Sequence, residues 1–159
     1  VKRTSASSLV ITAIAVGLVS HMLLAYLDDR SATPVPVSAV TTMLLLAIAV
    51  ILWRLGIGVK RLVAKEETTM DAIGAARVAL FAKSCSLGGA GLTGYFGAQT
   101  MIGARNFSSP LYFEHTWIAG ASVLACLALV IVAMIVESWC VIPPDDDDPS
   151  GGARSPSAA

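Results

Sequence analysis

His21 and Gln99 are polar side chains inside apolar stretches of this sequence, about six and five residues from the ends of those stretches; Lys83 and Glu137 are charged groups at the margins of two such stretches. An imidazole and a carboxamide can each donate and accept hydrogen bonds. His21 and Gln99 could therefore form a polar cluster that binds a solute or relays a proton, or could simply bond between helices. Ser38 and Ser122 fall at a similar depth in two other stretches. Lys83 and Glu137 could pair at one edge, or each could reach out to water along its own stem. Cys85, Cys126 and Cys140 lie in or beside apolar segments with no CxxC spacing, which suits small buried side chains better than a disulfide or a metal site.

Familiar catalytic spacings are missing. The sequence holds no HExxH, GxSxG or phosphate-binding glycine loop, and no nucleophile and base share a depth. The segment Asp71 to Arg77 has a faint likeness to the D-x2-D-G-x2-A-R motif of membrane CDP-alcohol transferases, but Gly74, Ala76 and Arg77 are wrongly spaced and the further aspartates are absent. The reading is therefore non-enzymatic, with no catalytic, cofactor-binding or metal residues and no cofactor.

The elements that carry these side chains follow from composition. Of 159 residues, 55% are hydrophobic and 14% charged, with a mean hydropathy of +0.74. A soluble domain carries about a quarter charged residues, so there is too little polar material here to cover a soluble surface. Net charge is zero, which gives no overall attraction to nucleic acid. Four runs lack Asp, Glu, Lys and Arg: Thr4–Leu27, Ser31–Trp53, Ser84–Ala104 and His115–Val136. Each reaches the roughly 20 residues that a helix needs to cross about 30 Å of hydrocarbon.

The expected fold is all-α, an integral membrane bundle of four transmembrane helices. The spans are about 8–27, 35–54, 83–104 and 115–137 within a domain of residues 1–142. All seven prolines lie outside the span cores, as a bilayer that cannot replace lost backbone bonds requires. Tyr26, Tyr112 and Trp117 mark one interface; Trp53 and Trp139 mark the other.

Nine Lys and Arg fall on one side of these spans and only Arg30 and Arg105 on the other. The positive side is cytoplasmic, so both termini and the second loop are expected inside a multi-pass protein of a bacterial cell membrane. Lys2-Arg3 before an apolar run imitates a secretory signal, and its length reads as an uncleaved signal-anchor. Val1 suits a GTG start in a bacterial gene. Arg54 to Asp71 reads as a helical extension near anionic headgroups, with a partner site as the sharper alternative. Asp71, alone or with Thr68, caps the third helix. The tail, 143–159, contains the Asp145–Asp148 run, is poor in large apolar residues and reads as disordered.

Span three holds six of the thirteen glycines. Gly89, Gly91, Gly94 and Gly97 are the expected helix-packing residues, since small side chains let backbones approach where lipid supplies no hydrophobic drive. The expected partners are the lipid bilayer and either a membrane protein or a second copy docked through span three; nucleic acid is not among them.

Three features together resemble a known family. Asp71 opens a helix containing Arg77 and Ala82-Lys83-Ser84 before the Gly/Ala-rich span. Glu137-x-x-Cys140 closes the last span. Val141-Ile142-Pro143-Pro144 and the Asp run follow. Together they resemble an actinobacterial family of four-span membrane proteins that is a domain of unknown function, with genes often beside folate-biosynthesis genes. Ala72 and Ser84 stand where that family often has Pro and Ala. The resemblance implies an inner-membrane location and supplies no catalytic residues. Residues and resemblance together lead to a small non-enzymatic membrane scaffold or accessory subunit. The alternative is a small transporter or transporter subunit using the His21 and Gln99 level.

Overall fold

A computed structural model describes residues 5–29, 37–64, 71–105 and 110–140. They form four α-helices: α1 (Ala6–Asp29), α2 (Ala39–Val63), α3 (Ala72–Arg105) and α4 (Pro110–Cys140). Among the described residues there is no strand. The boundary expected at 142 and the 143–159 tail lie outside the described residues.

The helix starts follow from local chemistry. The backbone N–H of Ser8 donates to Ser5 Oγ at 3.2 Å. Ser38, in extended conformation, caps α2 by accepting from Val40 N at 3.3 Å. Asp71 precedes α3, and its carbonyl accepts from Ala75 N. Pro110 occupies the first position of α4, where its missing N–H costs nothing. Hydroxyls inside the helices bond back to their own backbone: Thr93 to the Gly89 carbonyl, Thr100 to that of Phe96, and Ser86 to that of Lys83, each at 2.8 Å. They thereby sit in apolar surroundings without an unmet donor.

Three helices are long and apolar enough to cross a membrane: Ala6–Leu27, Ala39–Val63 and Phe113–Cys140. α3 forms as expected but is not among them. It is the longest helix, with 34 residues, yet its glycines, Ser86, Thr93, Gln99 and Thr100 dilute its apolarity. The four-helix expectation is met, whereas the third crossing is not established by composition.

The packing is a row. α3 lies between α1 and α4, α2 packs chiefly against α4, and a small contact joins α2 to α3. The central core contains Leu45, Leu52 and Val59 of α2, Val78, Ala82 and Phe96 of α3, and Cys126, Leu129, Ala133 and Val136 of α4. No residue of α1 belongs to it. Only 6% of the apolar segment of α1 is buried, and Ile11, Ile14, Leu18, Val19 and Met22 are exposed on several of its faces. In a bilayer these side chains meet acyl chains, so an apolar surface that would aggregate in water is matched to its solvent.

Paired contacts set the directions. Thr42 meets Ser122, and Trp53 meets Trp139, so α2 and α4 are parallel. Gly103 lies against Thr116 and Gly89 against Val130, so α3 and α4 are antiparallel.

Candidate functional site

A close approach of backbone to backbone joins α1 to α3. A Cβ added at Gly94 would collide with the Ala13 carbonyl oxygen and lie 2.8 Å from Gly17 N. A Cβ at Gly17 would in turn be 3.4 Å from Gly94 Cα. Two glycines thus face each other, and the backbones touch with no side chain between them. Gly91 joins this face more loosely, 3.8 Å from Val16 Cγ2. Gly89 turns the other way, toward Val130 of α4 at 2.9 Å. Gly97 and Gly88 have nothing within 4 Å. The expected packing glycines therefore divide among two neighbours and open surface. Gly17 and Gly56, whose Cβ would strike Val136 of α4, are close-approach positions that the sequence reading missed. Each stands without a repeated spacing to mark it.

His21 lies one turn beyond Gly17 on α1, and Ala98 and Gln99 lie one turn beyond Gly94 on α3. Gln99 is 95% buried, and its amide nitrogen donates to the Tyr95 hydroxyl at 2.7 Å. Gln99 Oε1 and His21 Nδ1 are both buried without a hydrogen-bond partner. A buried polar atom left unmet costs about 1–3 kcal/mol, so this level is short of a donor, an acceptor or both. Tyr95 is the residue here that the sequence reading passed over; its signal is the i, i+4 spacing to Gln99.

The other two residues expected at this depth serve elsewhere. Ser38 caps α2. Ser122 pairs with Thr42 at 2.7 Å and also bonds to the Ile118 carbonyl at 2.9 Å. That pair ties α2 to α4, and His115 Nδ1 accepts from Val37 N at 3.5 Å nearby.

At the opposite end, rich in Lys and Arg, the antiparallel register that sets Gly103 against Thr116 brings Lys83 level with Glu137. Glu137 is buried and Lys83 half-buried. Cys85, Cys126 and Cys140 are free thiols. Among the described residues no three His, Cys, Asp or Glu side chains come together as a metal site.

An all-helical bundle with three membrane-length apolar helices, joined through glycine crossings, is the class of protein that these features define. The chain belongs to the family described as protein of unknown function (DUF3180), whose match covers residues 9–144. No curated protein and no solved structure matches it.

Proposed function

We propose that this is a non-enzymatic membrane scaffold or accessory subunit of a bacterial cell membrane, with both termini cytoplasmic, and that α3 is its docking helix and a fourth crossing. The observation that carries the reading is the open space beside the half-exposed Gly97. α3 is the helix least suited to lipid by composition, yet among the described residues nothing lies within 4 Å of where a Gly97 side chain would be. A second copy or another membrane helix laid there would shield α3 and gain close backbone contact. The basic end of α2 and α3 holds the assembly at the cytoplasmic face. The test is Gly97→Leu. With open space beside it, the substitution should leave thermal stability in mild detergent unchanged while abolishing self-association or co-purification of a membrane partner. Unchanged association would overturn the docking role of this face.

A second reading rests on the unmet atoms of His21 and Gln99. A passing proton or small polar solute would satisfy both, as in a transporter or transporter subunit. Reconstituted protein should then dissipate an imposed pH gradient, and His21→Ala with Gln99→Leu should stop it. A gradient that persists with the unaltered protein removes proton passage.

A further inference from the structure

Toward the basic end of α2 and α4, where Gly56 packs against Val136, a groove runs between residues of the two helices. The groove has a volume of about 580 Å³ and is lined by Trp53, Ile57, Lys60, Arg61, Ala64 and Trp139. Its volume lies within the roughly 300–1,000 Å³ of small-molecule sites. The rings of Trp53 and Trp139 lie 5.4 Å apart at 56°, and Lys60 Nζ stands 5.2 Å from the Trp139 ring. Lys60 and Arg61 are exposed, and no carboxylate lines the groove. Two cations in the last turn of a helix suit its dipole, but the dipole accounts for neither the paired indoles nor the hollow between the helices.

We infer that this groove is a site for an anionic phospholipid. The phosphodiester is bound by Arg61 and Lys60, and the glycerol and upper acyl segments lie along Ile57 and the two indoles. The chemistry is matched along the groove: Lys60 and Arg61 toward the helix end, with Ile57 and the two indoles deeper along the helices. A guanidinium offers a phosphate two parallel donors, and the ammonium adds a point charge. The membrane-length helices on which the groove is built, α2 and α4, hold it at the headgroup level. A soluble phosphate would have no use for the apolar half.

The test uses the full chain with Trp117→Phe, so that emission comes from Trp53 and Trp139 alone. It is reconstituted in phosphatidylcholine vesicles with a small fraction of phosphatidylglycerol brominated near the headgroup. Quenching should exceed that by brominated phosphatidylcholine at equal fraction. Lys60→Gln and Arg61→Gln should each weaken the preference about fivefold, the factor corresponding to ~1 kcal/mol per juxtamembrane charge. Arg54→Gln, an exposed cation outside the groove, should leave it unchanged. Helical circular dichroism checks that each variant folds. Ile57→Phe, which fills the hollow, keeps both charges and adds no indole, should also reduce the preference. Equal quenching by the two lipids, or equal loss with Arg54→Gln, overturns the site in favour of general surface attraction. Displacement by millimolar inorganic phosphate at constant ionic strength overturns the lipid assignment.

Discussion

Gly94 shows how much one hydrogen in place of a methyl group decides. Its would-be Cβ position is already occupied by the Ala13 carbonyl oxygen, a backbone atom that cannot rotate away. Even Gly94→Ala must push α1 off α3, and Gly94→Leu must do so by more; overpacking of this kind costs typically 1–3 kcal/mol. Both should lower the thermal midpoint in detergent, Leu more than Ala, while Leu124→Ile on an exposed face of α4 should change it little. An unchanged midpoint for Gly94→Leu would mean that α1 contributes nothing to stability through this crossing. The contrast with Gly97 has a geometric cause. Residues three apart on a helix advance about 300°, so Gly91, Gly94 and Gly97 cannot all face one neighbour. The three-residue spacing identifies a helix rich in close approaches without saying which glycine makes them.

At the scale of the element, α3 and α4 share the contact that most constrains the bundle. Their register places Lys83 and Glu137 at one depth on the basic side. A charge at mid-membrane costs roughly 2.5–3.5 kcal/mol on insertion scales, and less at the edge where it reaches water. We predict that Lys83→Met and Glu137→Gln each destabilise, and that the double variant recovers part of the loss. Strict additivity in that cycle, read from thermal unfolding in detergent, would eliminate the pair.

Helix existence is legible in the sequence, and helix ends only in part. Charge-free runs fix where helices can lie in hydrocarbon, and Asp71 marks the start of α3; Ser38, read as lying within its span, caps α2, and α4 starts at Pro110, five residues before the span expected from 115. His21 and Gln99 stand out because polar groups in such runs are few. Their unmet atoms are not legible, since a hydrogen bond to Tyr95 uses the Gln99 nitrogen and leaves its oxygen. The groove at Trp53 and Trp139 is equally hidden: interfacial tryptophans are expected on any spanning helix, and only the parallel pairing of α2 with α4 sets these two side by side.

For the whole molecule, the nine-to-two distribution of Lys and Arg across the spans predicts one orientation. Reporter fusions after Asp29 and after Arg105 should read outside; fusions after Lys65 and in the tail should read inside. The Lys65 fusion is the decisive one, because it also reports whether α3 begins on the cytoplasmic side. A Lys65 fusion reading outside would reverse the bundle, and the tail fusion independently decides whether α3 crosses. If α3 stayed on one side while the other three helices crossed, the tail would emerge opposite the N-terminus.

The place of α1 at the end of the row, touching α3 and no other helix, also sets an order of assembly. Synthesised ahead of α2, α3 and α4, α1 would meet a bilayer before α3, the one described helix it packs against, had been made, and α2 would follow without offering it a surface. Helices inserted independently can wait in lipid and associate laterally afterwards. α1 is made for that wait, apolar on several faces and free of charge from Thr4 to Leu27. The core of α2, α3 and α4 includes no described residue of α1, so for a membrane-inserted chain the last event in assembly would be the sideways arrival of a helix already in the bilayer. That arrival depends on Gly17 reaching Gly94, rather than on any side chain finding a core.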